Sequence, residues 1–493
     1  MNIIVYILIL FLAILGISDT EIVNSAFDIY LKVTSILLTI TIITYLIIKR
    51  FDIFTNFSTL WFALQRFVGL AICNFPFISV NTFRKFFLIK EVMFIYTFFI
   101  LITIFIIKKV KKIKFPLIFT DKILIAYCII LLLYTLLSPV NIWLKLLSLR
   151  RFIILPLIYF IGRMAVINFD KIKCCTRYTA IFTYIICIYG LIDYFFARSY
   201  IYRKLFSVDE YFSKQVLAGF IPAQWTTGDI MQGGIFTDYT FGVLPRFVTT
   251  FIEPTTLGSF LAFVFLFAVF GKGVINIKPL WIKHLLNLML LLCIVLTFSK
   301  GAFTILLFGS AYILNQNKKI PKLIRKGYFY SVIGILCIGI TLILVSRSGA
   351  SAHINGLRTG IISSITHPFG LGLGNAGNFA NLLGDNTGES IGTESAIGSM
   401  LGQLGIIGFI PYLLFIISSI KTLSKRPLSH SNLYIVMAGA FLGYSINSLF
   451  TDSALGVTGN FYYFLFTGLL ITQIILVNKK RSKNNEKNVI YNT

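Results

Sequence analysis

Charge is scarce in this sequence. Asp, Glu, Lys and Arg make up 13% of its 493 residues, about half the share a soluble domain carries. A water-exposed globular surface over most of the chain is therefore excluded. Acidic groups are scarcer still, with 18 Asp and Glu against 44 Lys and Arg. There are only four histidines and seven cysteines, and neither type falls into metal-ligand spacing. Cys73, Cys128, Cys187, Cys293 and Cys337 lie in or at the ends of apolar runs, and Cys174 and Cys175 lie in a basic loop. That distribution predicts packing residues, with no disulfide framework and no metal site. What fills the chain is apolar sequence, 57% of its residues. It comes in repeated runs of about 20 residues, the length that crosses a bilayer as a helix.

The net charge of +26 would suggest a nucleic-acid partner in a soluble protein. Here the basic residues form short clusters between apolar runs, which predicts cytoplasmic loops facing anionic lipid headgroups and no nucleic acid. The runs predict an all-α polytopic membrane protein with about fourteen transmembrane helices, at 3–18, 29–48, 58–80, 88–107, 117–137, 149–167, 180–197, 251–270, 285–298, 302–314, 328–345, 397–420, 433–450 and 461–477. The first lacks a basic n-region and is expected to be a retained helix. Lys49-Arg50, the KKVKKIK run at 108–114, Lys171 to Arg177, and the cluster from Lys318 to Lys326 all fall on one side. Two long polar loops, 198–247 and 346–395, fall on the other. Both termini are then cytoplasmic. Residues 1–478 form a single transmembrane domain, and 479–493 a disordered basic tail. No internal repeat is evident.

Six basic residues break the positive-inside pattern: Arg150, Arg151, Arg246, Lys300, Arg347 and Arg358. One explanation is snorkelling, with stems buried and heads in water. As a set they also suit an anionic ligand such as a diphosphate. Arg66 lies within a predicted span, where a charge is costly, and fits either an ion pair or function. Carboxylates that could take a proton lie at Asp209, Glu210, Asp229, Asp238 and Glu253, and at Asp385, Glu389 and Glu394. Most of them are expected to be solvated loop residues. Thr393 and Glu394 also suit a helix start, Thr as the cap and Glu at the positive end. His367 heads HPFGLGLGN at 367–375. Its glycines predict tight turns, either a plain re-entry turn or backbone amides open to an anion.

Four stretches resemble the bacterial O-antigen polymerases and ligases: PRFVTTFIEPTTLGSFLA at 245–262, LTFSKGAF at 296–303, HPFGLGLGN at 367–375 and TESAIGSMLGQLGIIG at 393–408. Together they span about a third of the chain. The resemblance implies a polytopic glycosyltransferase of the C type, without metal or cofactor, in the bacterial inner membrane. It implies transfer of a growing glycan from undecaprenyl diphosphate to a lipid-linked repeat unit at the outer face. Arg246, Arg358 and Glu394 are the implied catalytic residues. Lys300, Arg347, His367, Arg150 and Arg151 are the implied substrate contacts. Membrane lipids and a chain-length regulator protein are the implied partners. Lys300 stands where the family usually has Arg. Thr393-Glu394-Ser395 stands where ligases carry a His-Asn pair, which favours polymerase. The alternatives are a ligase that passes finished glycan to lipid A-core, and a flippase or exporter.

Overall fold

A computed structural model describes residues 9, 25–73, 79–110, 116–165, 167–197, 208–217, 238–240, 244–317, 320–345, 352–377, 395–425 and 432–490. Helices dominate. They are α1 (Ser25–Lys49), α2 (Phe51–Cys73), α3 (Val80–Val110), α4 (Phe119–Leu137), α5 (Ile142–Met164), α6 (Phe169–Ile192), α7 (Val208–Leu217), α8 (Pro254–Phe270), α9 (Leu280–Leu296), α10 (Lys300–Asn315), α11 (Lys322–Val345), α12 (Ala352–Thr366), α13 (Ala396–Ser424), α14 (Leu433–Asn447) and α15 (Val457–Ile490). One short antiparallel pair, β1 (Asp238–Thr240) with β2 (Leu244–Pro245), lies between α7 and α8.

Each predicted span from 29–48 onward overlaps one of these helices, while the first, 3–18, lies outside the described residues except for Ile9. Among the described residues, six segments are long and apolar enough to cross a bilayer: Tyr30–Lys49, Val80–Ile107, Phe119–Leu137, Phe169–Phe195, Ala396–Ser424 and Val457–Asn478. Pro254–Phe270, Leu280–Leu296 and Leu433–Asn447 are shorter apolar helices. This is the make-up of a multi-pass α-helical membrane protein.

Several boundaries differ from expectation. The two polar loops are partly helical, since α7 lies in the first and α12 in the second. α15 runs on to Ile490, into the segment predicted to be a tail, whose last residues, 491–493, lie outside the described residues. That segment contains neither Gly nor Pro, so nothing in it stops a helix. α5 begins at Ile142, where the Asn141 side chain caps the Trp143 amide at 2.9 Å. Arg150 and Arg151 are therefore mid-helix residues, about 12 to 14 Å past its start at 1.5 Å per residue.

The chain divides into two compact units. The first comprises Met1–Ile104, Asp170–Leu257 and Lys278–Phe298. Its aromatic core joins α2, α3 and α7: Trp61 meets Phe86 edge-on, Phe62 stacks on Phe94, and Tyr211 meets Phe83. α7 is pinned where Lys214 donates to the Cys73 carbonyl at 2.7 Å, a cation at the C-terminal end of α2.

The second unit comprises Phe105–Phe169, Gly258–Ile277 and Ser299–Thr493. Its most buried charges tie α4, α5 and α15. Arg163 and Asp121 are 1% and 0% exposed and meet at 2.6 Å. Asp121 also accepts from Tyr159 at 2.8 Å, and Arg163 donates to Thr472 at 2.8 Å. Removing either charge would strand the other in a low-dielectric interior.

In this second unit α13 is broken. Gly405 sits at φ +64°, a backbone state that only glycine adopts without strain. A Cβ there would collide with the Pro368 carbonyl. The loop 367–377 fills the break. Leu371 and Gly372 amides donate to the Gly402 and Gln403 carbonyls at 2.8 and 3.1 Å, and the Ile407 amide donates to Pro368 at 3.3 Å. The Gly374 amide donates to the Gln403 side chain at 2.9 Å. Backbone groups freed by the break are thereby satisfied within the protein, as an apolar surrounding demands.

Candidate functional site

In the second unit, the turn from Asn447 to Gly456 gathers several polar side chains. It is a meeting point because α14 ends there, the 3-10 turn Asp452–Leu455 follows, and α15 begins. Arg151 from α5 pairs with Asp452 at 2.5 Å, and both side chains are largely buried. Ser395, the N-cap of α13, donates to the Leu449 carbonyl at 2.7 Å and accepts from the Gly398 amide at 3.0 Å. The Ala396 and Ile397 amides donate to Thr451 and Ser448 carbonyls at 3.3 and 3.1 Å. Ser259 on α8 donates to Asn460 at 2.7 Å, and Asn460 in turn donates to the Ser453 and Gly456 carbonyls. α10 enters beside this turn, because Gly301 lies against the Asn447 side-chain amide. Lys300, the first residue of α10, is exposed. Ser299 caps the helix through the Ala302 amide at 3.3 Å.

This geometry brings Arg151 and Lys300 to one turn and places the half-buried Arg150 beside Arg151. It also corrects parts of the expectation. Ser395 is the cap of α13, in place of Thr393, because its side chain reaches both the Gly398 amide and Leu449. The first amides of α13 are engaged by protein groups, so that helix start offers little to an anion. The glycine-rich loop is likewise a plug: its Gly370, Leu371, Gly372, Gly374 and Asn375 amides all have protein acceptors.

Arg358 lies on α12, within a fifteen-residue helix in what was expected to be loop. α12 crosses α13 where Gly356 and Gly360 both abut Gly398. Arg358 sits two positions from each of these glycines, so it falls on the opposite face of α12. It is half-buried and faces away from α13. His367 is exposed, contacts the Thr366 hydroxyl at 3.0 Å, and heads the plug at Gly405. That is about 10 Å further along α13 than Gly398, at 1.5 Å per residue. Arg347 and Glu394 lie outside the described residues, as do Asp229, Asp385 and Glu389.

Arg246 belongs to the first unit. Its Nε donates to the Thr297 carbonyl at 2.9 Å, and the next amide, Phe247, donates to Leu296 at 2.9 Å. The segment that follows is strained, with Thr249 and Ile252 at φ +47° and +55°. Arg66 on α2 pairs with Glu253 at 2.5 Å, and Thr255 donates to the same carboxylate at 2.9 Å. The ion-pair explanation of Arg66 is the one this geometry supports.

No protein-family model matches the chain, and no curated protein matches it in sequence. The site is therefore described by its own geometry. Asp452 and Asn447 escaped the sequence-based expectation although a signal existed. Asp452 is one of two acidic residues after Glu394, and it follows a predicted span in a short linker. Arg163 carried an equally plain signal, as a charge within the predicted span 149–167.

Proposed function

We propose that this protein is a polysaccharide polymerase of the bacterial inner membrane, joining undecaprenyl-diphosphate-linked oligosaccharide repeat units at the outer face. The observation that carries the reading is the turn at Asn447–Gly456. There Arg151 pairs with Asp452, Asn460 and serine hydroxyls gather, and Asn447 packs against the start of α10, whose first residue is the exposed Lys300. Cations suit a diphosphate, and carboxylate with amide side chains suits sugar hydroxyls. The four sequence stretches that resemble the O-antigen polymerases and ligases support the same reading. Basic clusters would face the cytoplasm with both termini, and the turn would face outward.

In this reading the acceptor hydroxyl attacks the anomeric carbon of the donor glycan and gives up its proton, to Glu394 on the sequence resemblance. The bond to undecaprenyl diphosphate breaks, and negative charge builds on the leaving diphosphate. Lys300 and Arg151 stabilise that charge, and Asp452 holds the Arg151 guanidinium in place. Arg246 and Arg358 are assigned to substrate on the sequence resemblance alone. Thr393-Glu394-Ser395 favours polymerase over ligase, and the carboxylate at the turn, Asp452, favours transfer over export.

The test is reconstitution of the protein with lipid-linked repeat units and sizing of the products. Ladders of multiple repeats support a polymerase. Single units left unjoined, with preformed long chains passed to a second acceptor, would replace this reading with ligase. No glycan chemistry in either assay would defeat both.

A further inference from the structure

The first unit holds a buried carboxylate that nothing above employs. Asp193 stands at the end of α6, is 5% exposed, and opens a π-helical turn, Asp193–Ala197. Among the described residues, its Oδ1 has no hydrogen-bond partner. Gly190, three positions earlier and on the same helix face, lies against Thr249 and the Phe247 ring. Tyr194 meets Phe247 at 5.9 Å. Asp193 thus lies one helical turn along from where the strained segment Phe247–Ile252 presses on α6. Among the described residues, the same segment carries a second unpartnered oxygen, the buried Thr250 hydroxyl. The charges nearby already have partners, since Arg66 and Glu253 form an ion pair and Arg246 donates to Thr297.

We propose that Asp193, with the Thr250 hydroxyl and the irregular backbone of the π turn, forms a binding site for a sodium-sized monovalent cation. Four physical points lead there. An unpaired carboxylate in an apolar surrounding is costly, and a counter-cation removes that cost. The C-terminal end of a helix carries negative potential, which favours a cation over an anion. A π turn disturbs the carbonyl ladder, and disturbed turns of this kind recur at ligand sites. Hard cations take oxygen ligands, and membrane proteins bind sodium where carbonyls leave a helix register. One carboxylate and neutral oxygens suit a single positive charge.

The test uses the full chain in detergent micelles, without any glycan, so its outcome is independent of the proposed polymerase activity. Thermal unfolding is followed while sodium chloride replaces choline chloride at constant ionic strength. A ligand that binds only the folded state raises the melting temperature with concentration. The wild type is expected to respond to sodium in this way. Asp193→Asn is expected to lose the response, and Thr250→Val to need about tenfold more sodium. If Asp193→Asn does not fold, radiolabelled sodium binding to the wild type and Thr250→Val carries the test. Equal melting in both salts with no sodium bound would overturn the site. So would a sodium response that Asp193→Asn keeps, or one that pH alone reproduces.

Discussion

Two residues in the second unit show how burial sets the consequence of removing a charge. Arg163 and Asp121 are sealed from water, so Arg163→Met leaves a bare carboxylate and is expected to cost about 3–5 kcal/mol. Asp121→Leu combined with Arg163→Met removes both charges, and the pair of changes is expected to restore much of that loss. Thermal unfolding of the purified single and double variants measures the difference; equal destabilisation in both would refute the buried-pair argument. Lys300 is the contrasting case, exposed at the start of α10. Lys300→Ala is expected to fold normally and, if the proposed activity holds, to lower the rate of repeat-unit joining about 100- to 1,000-fold, the scale of one preorganised charge contact. Lys300→Arg, which keeps the charge, should retain most of the rate. A normal rate in Lys300→Ala would remove this residue from the site.

At the scale of elements, α13 depends on a single glycine. Gly405→Ala forces a side chain into a left-handed backbone state and against Pro368. It is expected to destabilise the second unit by about 1–3 kcal/mol and to release the 367–377 loop. Limited proteolysis reads this as new cleavage within the loop, and an unchanged digestion pattern would contradict it.

Most helices were legible because long apolar runs leave no other choice in a bilayer. α12 was not, because AHINGLRTGIISSIT is short and carries two glycines and an arginine that mimic a polar loop. Its helix is held by the crossing of Gly356 and Gly360 with Gly398, a contact between residues far apart in sequence. The break in α13 was hidden for the same reason. Nothing in GQLGIIG distinguishes a glycine within a helix from one that interrupts it, and only the docked loop decides. At the candidate site, Lys300 and Arg151 stood out as cations against the positive-inside pattern. Asp452, the partner of Arg151, and Asn447, which packs against Gly301, were not linked to them, because that link is made in space.

For the whole molecule, the alternation of basic clusters and polar stretches makes a prediction about sidedness. Cys174 is exposed beside Lys171 and Lys173, on the side assigned to the cytoplasm, and Lys300 is assigned to the outer face. In a background lacking the other cysteines, a membrane-impermeant maleimide applied to intact cells should label Lys300→Cys and spare Cys174. Permeabilised cells should show labelling of both. The reverse pattern would invert the molecule and remove the candidate site from the outer face.

The order in which the chain is made bears on how a helix with an interruption enters lipid. A nascent segment whose carbonyls lack donors partitions poorly from the translocon. Here the acceptor-seeking amides of the 367–377 segment leave the ribosome before Gly402 and Gln403 do. The seal is already synthesised when the gap emerges, so the break itself can close with no later sequence required.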